Sequence, residues 1–448
     1  MGAPPRDEMH HWDSLPLRRI GSFWLLEAAQ VIEQFADSLN LLLMLALMRG
    51  AFANDAWLAN QALFIPTLVP IVVLAPVAGV FVDRYSRRGW MLAAAAGRFG
   101  GVGVMALLAG PTLAGSRAAL GGVIAAILAV SCLWQFYTPA RSAALPEVVP
   151  RRRLQIANSV SVTVLLVMQI AGYVMGGVLG DNINLTRALS VNALLYLGTL
   201  LLFSLIRFRG AHAHTFQPFS LRSAWRELGD AMRSLFSRET GVRTGLVKVI
   251  GLAALAGVSF TALQGFAEAL PSPPWMTGLE SWLNARWSFS LGPLTRFTIL
   301  LLSGGIGAGL GIGLLGWLKD RVPQKLLIQS ALTLAAGCFL LVTFSRTYDQ
   351  AAAAMAGTGL GGGLVLALAE ARLQLLVPAH ARGKSLAAYF ILRNGSVILG
   401  VSLLPKLLDT MSGSSPLGLL GMAGWGGALF AAATWVTDAL GGRRTHSG

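Results

Sequence analysis

The chain has 448 residues, of which 54% are hydrophobic and only 12% charged, and its mean hydropathy is strongly positive. That is too little charge to cover a water-soluble surface of this size, so most of the chain must face lipid or lie within lipid-embedded helices. The net charge of +15 raises a nucleic-acid reading, but the basic residues are not gathered on a soluble domain, and no nucleic acid is expected.

In chain order, residues 1–20 are polar and carry no short apolar core ahead of a cleavage site, so they are read as a cytoplasmic segment. Runs able to supply the roughly 20 apolar residues of a membrane span then follow at 21–48, 58–81, 90–108, 119–137, 160–179 and 188–206. These form a first six-helix bundle over residues 21–206. Residues 207–248 make a cytoplasmic linker. A second set lies at 249–270, 297–318, 326–344, 351–377, 386–404 and 417–435, forming a second bundle over 249–438, and residues 439–448 are a cytoplasmic tail. The runs are continuous, without alternation of period two, so helices rather than barrel strands follow. The expected fold class is an all-α integral membrane protein with twelve transmembrane helices in two six-helix bundles. Cys132 and Cys338 both lie in apolar runs and are read as packing residues. No metal site or cofactor is expected.

Lys and Arg set the expected orientation. With both termini cytoplasmic, 25 of the 35 basic residues fall in inner segments and 7 in outer loops. The remaining three, Arg98, Arg372 and Arg393, lie within spans. In the linker, Leu221, Trp225, Leu228, Met232 and Leu235 recur at helical spacing with Arg222, Arg226, Asp230 and Arg233 between them. That pattern reads as an amphipathic helix on the inner membrane face. The segment 271–293, with Trp275, Trp282 and Trp287, is expected to rest at the outer interface.

A basic-acidic signature occurs twice. The first copy has Gly79, Asp83, Arg84, Arg87 and Arg88 between spans 2 and 3; the second has Gly316, Asp320, Arg321 and Lys325 between spans 8 and 9. Each glycine stands four residues before its aspartate, and a basic residue closes each copy five residues after it. Physically, the glycine allows close helix approach, the aspartate caps the next helix or pairs with an arginine, and the cations hold the turn at headgroups and helix C-termini. Such a turn is read as a conformational latch rather than a merely topogenic loop. Two copies in equivalent places also mark the chain as two related halves, the organisation of a transporter. "AR" at Ala140 and Arg141, echoed at Ala371 and Arg372, is consistent with duplication, and Arg141 joins the latch set.

This signature resembles the inner-loop hallmark of the major facilitator superfamily, over nearly the whole chain from about residue 20 to 438. Ser86 stands where that family usually has glycine, and Pro323 occupies the corresponding place in the second copy. The segment "YTPARSAALPEVVP" from Tyr137 to Pro150, followed by "ANS", is similar to the bacterial efflux branch that includes the enterobactin exporter and macrolide efflux proteins. Span 1, with Ala29, Gln30, Phe35, Asp37 and Leu45 to Leu47, also resembles bacterial lysophospholipid transporters. The resemblance implies two bundles around a cavity that opens alternately to either side, with gradient coupling to protons.

Span 5 carries Gly172, Gly176, Gly177 and Gly180, and spans 8 and 10 are denser still in glycine. Such faces serve either sliding interfaces or tight static packing. Ionisable groups at membrane depth rarely face lipid. Asp37 sits about 24 Å into span 1 at 1.5 Å per residue, with Glu33 one turn earlier on the same face; the pair either carries protons or ion-pairs statically with a buried arginine. Glu27, nearer the inner interface, is read as solvated. The substrate and coupling pathway is drawn through Glu33, Asp37, Arg98, Gln264, Glu370, Arg372, Arg393 and Asn394, with Asp37 and Arg393 as its principal members.

No complete Gly-x-x-x-x-Gly-Lys-Ser/Thr phosphate-binding loop occurs, because Pro378 stands five residues before the Gly383-Lys384-Ser385 triplet, so ATP is not expected to be the direct energy source. No histidine is followed by aspartate at the four-residue gap of acyltransferases, and no catalytic residue or enzymatic activity is expected. The expected function is secondary active transport of an amphipathic or lipophilic small molecule across a bacterial inner membrane. A proton-coupled exporter working as a monomer leads; a lysophospholipid transporter and a non-transporting receptor or scaffold are the alternatives.

Overall fold

The computed structural model describes residues 17–53, 55–84, 86–110, 116–206, 221–236, 242–318, 320–377, 382–402 and 416–444. Spans 1–6 are the helices α1 (Gly21–Ala51), α2 (Ala56–Arg84), α3 (Arg87–Leu108), α4 (Arg117–Val148), α5 (Leu154–Asn182) and α6 (Leu185–Leu205). The linker helix is α7 (Leu221–Phe236), as its amphipathic spacing predicts. Spans 7–12 are α8 (Arg243–Ala269), α10 (Pro293–Leu318), α11 (Gln324–Phe344), α12 (Tyr348–Leu376), α13 (Arg382–Ser402) and α14 (Pro416–Arg444), with α9 (Pro274–Trp287) between α8 and α10. Among the described residues twelve helices are long and apolar enough to cross a membrane, matching every expected run.

The spans are longer than hydropathy alone indicated. Helix α4 runs past Tyr137 to Val148 with Pro139 and Pro146 inside it, and α8 begins at Arg243, inside the expected linker. Lys248, assigned to that linker, is buried within α8. Helix α14 continues to Arg444, past the candidate span that ends at Thr437. Polar ends carry a helix beyond its apolar stretch, because hydrogen bonding within the helix does not require apolar side chains.

The structure divides into two compact units. The first takes in residues to Ala51 and Val69–Ala224; the second takes in Phe52–Leu68 and residues from Trp225 onward. Helix α2 therefore begins in the second unit and ends in the first. Within the second unit, the first turns of α2 are held by hydrogen bonds from Trp57 Nε1 and Gln61 Nε2 to the Ser402 carbonyl (3.1 and 2.8 Å) and by Asn60. Asn60 donates to Thr261 Oγ1 at 3.1 Å and accepts from Gln264 Nε2 at 3.2 Å.

Packing repeats between the halves. Spans 1 and 5, 1 and 6, 3 and 4, and 3 and 6 are neighbours; so are spans 7 and 11, 7 and 12, 9 and 10, and 9 and 12. Small residues make the first pair of each set possible. In α5, a Cβ on Gly172 or Gly176 would collide with Phe35, Ser38, Leu39 and Leu42 of α1; in α13, one on Gly400 would overlap the Ala254 carbonyl of α8. The outward faces stay apolar: Leu107, Leu194, Leu201, Leu205, Leu310, Leu341 and Phe344 are all more than half exposed. A water-soluble surface seldom tolerates so much.

Helix α7 buries Leu228, Ala231 and Leu235 and exposes Trp225 and Arg233, the two-faced arrangement its sequence implies. The tryptophan-rich segment, expected only to rest at an interface, contains a helix. It folds as α9, closed by Ser288 in the left-handed region (φ 56°), with Trp282 edge-on to Trp287 and Trp275 Nε1 donating to Asp349 Oδ1 at 2.8 Å.

Candidate functional site

A polar stripe on α1 builds the site. Glu27, Gln30, Glu33, Asp37 and Asn40 recur at intervals of three or four residues, so they share one side of the helix. From Glu27 to Asn40 that stripe extends about 20 Å at 1.5 Å per residue, two thirds of a hydrocarbon core of about 30 Å. Each member meets a polar group from another helix of the first unit.

At the centre lies Arg98 of α3, fully buried. Its Nη1 donates to Glu33 Oε1 and, at 3.1 and 3.3 Å, to both oxygens of Asp37. The Glu33 carboxylate is as buried as the arginine, whereas the Asp37 side chain keeps 20% of its surface exposed. Tyr196 of α6 donates its hydroxyl to Asp37 Oδ1 at 2.6 Å. The guanidinium lies 4.6 Å from the Tyr137 ring centre and 5.7 Å from that of Tyr196, within range of favourable cation–π attraction. Arg98 Nε and Nη2 and Glu33 Oε2 are buried without a hydrogen-bond partner. The network thus has spare donors and a spare acceptor, and one carboxylate reaches toward accessible space.

Two further stations flank it. Toward the start of α1, Glu27 accepts from Ser161 Oγ of α5 and sits 3.5 Å from Arg141 Nη2 of α4, while Gln30 Nε2 donates to the Ser161 carbonyl at 3.1 Å. Glu27 is only 2% exposed. The expectation that it is solvated is therefore wrong, because distance from the helix end says nothing about which side of the helix a neighbour covers. Toward the other end, Asn192 Nδ2 of α6 donates to Asn40 Oδ1 at 3.1 Å. Gln30, Asn40, Tyr137, Ser161, Asn192 and Tyr196 were not among the candidate site residues read from the sequence, although Gln30 and Tyr137 lie in the segments that carry the family resemblance. The three-to-four spacing of polar residues on α1 was the available signal for the first two; the others are single polar residues in apolar helices.

The second-half candidates form a separate group. Arg393 of α13 lies 3.5 Å from Glu370 of α12 and 4.9 Å over the Phe390 ring; both partners are about one-third exposed. Arg393 is thus paired with Glu370, and Asp37 with Arg98. Asn394 Nδ2 turns back to the Phe390 carbonyl of its own helix at 2.8 Å. Arg372 is half-buried on α12. Gln264 is buried and bound to Asn60 rather than exposed at an interface.

The two signature copies behave differently. In the first, Arg87 donates to the Ala143 carbonyl at 2.7 Å and to Glu147 of α4, and Arg88 donates to the Ser204 carbonyl of α6. The turn is thereby tied to two other helices. Gly79, Asp83 and Arg84 lie in the last turns of α2. Ser86 caps α3: its Oγ accepts from Gly89 N at 3.0 Å. That explains a serine where the family usually has glycine. Ser86→Ala is expected to cost about 1 kcal/mol and Ser86→Gly only a few tenths, read as the shift in thermal unfolding of the detergent-solubilised protein.

In the second copy, Asp320 is exposed, and Arg321 bonds the Trp317 carbonyl at 2.8 Å and stacks on its ring at 4.2 Å. Lys325 is exposed in the first turn of α11. A Cβ on Gly316 would meet nothing within 4 Å. The expected close helix approach there is not realised, since that glycine faces open space.

Twelve apolar helices among the described residues, an apolar exterior, and an ion network buried among α1, α3, α4 and α6 of the first unit define a polytopic integral membrane protein. Such a network is tolerated only where helices shield it from lipid, and it marks ion or substrate pathways. The comparison with known sequences agrees: residues 27–401 match the Major Facilitator Superfamily, and the chain belongs to that superfamily of membrane transporters. Over 161 residues it is 33% identical to the uncharacterized MFS-type transporter Rv0037c of Mycobacterium tuberculosis, covering 34% of this chain and 33% of that one. Over 184 residues it is 29% identical to the uncharacterized MFS-type transporter YfiS of Bacillus subtilis, covering 41% and 42%. The chain thus spans well under half the length of these relatives.

Among solved structures, the peptide transporter POT in complex with sulfate superposes with a TM-score of 0.70 at 12% identity, over 98% of this chain and 99% of that one. The nucleoside transporter NupG gives 0.66 at 13% identity, over 93% and 98%. At these identities the likeness is one of fold.

Proposed function

We propose that the protein moves an amphipathic or lipophilic small molecule across a bacterial inner membrane by alternating access, as a proton-coupled exporter with both termini cytoplasmic. The observation that carries the coupling is the charge balance around Arg98. One guanidinium faces two carboxylates, Glu33 and Asp37, so one negative charge is left over when both are ionised. An uncompensated charge in a low-dielectric interior is costly. A proton on the pair removes it, and Asp37, the more exposed carboxyl, is the entry point. Tyr196 holds Asp37 toward the arginine when the carboxylate is ionised. Loading and unloading of that proton changes which carboxylate Arg98 holds, and thereby the set of α1, α3 and α6 under tension.

The first signature copy serves as the latch in this reading, since Arg87 and Arg88 fasten the start of α3 to the ends of α4 and α6. Membrane lipids and a small-molecule substrate are the implied partners, and the working unit is a monomer.

The test is flux in reconstituted vesicles, comparing a cationic lipophilic drug with a lysophospholipid, with and without a proton gradient. Wild-type flux of the drug is expected to rise with the gradient. Asp37→Asn should reduce gradient-driven flux at least tenfold, about 1.4 kcal/mol of coupling. Asp37→Asn vesicles with unaltered flux and pH dependence would overturn the coupling. Flux of the lysophospholipid alone would move the assignment to lipid transport, and flux of neither would leave a receptor or scaffold.

A further inference from the structure

The second unit contains a cavity that the charge network does not explain. It has a volume of about 160 Å³ and lies between α8, α10, α11, α12 and α14. Leu332, Ala335, Ala336 and Phe339 of α11 form its buried floor. On the α8 side, Ala256 is exposed and Ser259 and Phe260 are half-buried, so the cavity is open along α8.

Its chemistry favours an apolar filling over water. The only side-chain hydroxyls in the lining, Ser259 and Thr358, donate their hydrogens to the Leu255 and Ala354 carbonyls of their own helices. A water held there would find only those two oxygens and no donor, the least of the two to four polar partners that an ordered water makes. Apolar cavities of about 150 Å³ stay dry and accept benzene-sized molecules.

We propose that this cavity is a ligand site, taking an apolar group of about six carbons at the end of a single-chain amphiphile. The assignment rests on the reading that the substrate is amphipathic, and it names where the apolar end of that substrate is held. Entry is along α8 past Ala256, and Phe260, Phe339 and Met355 supply the walls against which the group packs. Selectivity follows from shape and charge: straight-chain and small aromatic termini fit, while charged termini are rejected because no charged group in the lining pairs with them.

The experiment uses the full chain in lipid nanodiscs and a lysophosphatidylcholine whose acyl chain ends in a photoreactive diazirine. After illumination, labelled residues are mapped by mass spectrometry. Label is expected to concentrate on Phe260, Phe339 and Met355, about tenfold over lipid-facing Leu310 and Leu341, a preference worth roughly 1.4 kcal/mol. Ala256→Leu, which fills the entrance, should lower that labelling severalfold, whereas Leu341→Ala, on the exposed face of α11 away from the lining, should leave it unchanged. Label spread evenly over the lipid-facing leucines, or cavity labelling indifferent to Ala256→Leu, overturns the site. The wild-type label distribution decides the matter by itself if Ala256→Leu fails to fold. Cavity labelling in a protein that drives no vesicle flux supports the site and counts against the transport reading; flux without cavity labelling does the reverse.

Discussion

Arg98→Met is expected to cost about 3–5 kcal/mol of stability, because removing one partner of a buried ion pair leaves an uncompensated charge. Here two carboxylates are stranded, Glu33 nearly fully buried and Asp37 mostly so. The cation also sits against the Tyr137 and Tyr196 rings, so packing among α1, α3, α4 and α6 is lost with it. Thermal unfolding in detergent measures the loss. The decisive control is the triple variant Arg98→Met, Glu33→Gln, Asp37→Asn, which keeps approximate volumes and removes all three charges. It should recover most of the lost stability, since well-packed uncharged replacements of a buried ion set are often neutral or better. It should not recover gradient-driven flux. A triple variant no more stable than Arg98→Met would mean that the arginine acts through packing alone; a triple variant with wild-type coupling would remove the network from the mechanism.

Gly359→Ala is expected to be comparably damaging for a different reason. Helices α10 and α12 approach so closely that a Cβ on Gly359 would overlap the Gly304 carbonyl. A Cβ on Gly307, Gly311 or Gly363 would overlap the Ala356, Leu360 or Ala308 carbonyl in turn. These are backbone atoms, so no side-chain rotation relieves the clash. Overpacking of this kind costs about 1–3 kcal/mol and can exceed that where the backbone must shift. Gly305→Ala and Gly309→Ala are the internal controls, because a methyl at either would meet nothing within 4 Å. Each should stay within about 1 kcal/mol of wild type, with the gain from helix propensity as the expected sign. Equal effects at Gly359 and Gly309 would contradict the close contact. The contrast also bears on the two readings of the glycine-rich faces: backbone-to-backbone contact along four successive positions is the geometry of tight packing.

The extent of each helix core, the amphipathic linker helix and the pairing of Glu33 with Asp37 on one side of α1 were all legible from residue order. Each depends on local periodicity and on the cost of exposing polar groups to hydrocarbon, and both act within a single helix. The duplication was equally readable from the paired Asp83 and Asp320 signatures, and the repeated neighbour relations of the two halves agree with it.

Residue order did not fix what each polar group meets. Sequence left Asp37 free to pair with any intramembrane arginine; only the fold brings Arg98 to it and assigns Arg393 to Glu370. Glu27 looked solvated until Ser161 and Arg141 were seen to cover it. The same limit applies to glycine, since Gly316 faces open space while Gly359 lies against a carbonyl, though both read as small residues in apolar helices. The apolar cavity beside α8 has no counterpart in residue order at all. Hydropathy and helical spacing are properties of a segment and its solvent, whereas ion partners, backbone clashes and voids are properties of convergence between segments far apart in the chain, and only tertiary packing decides that.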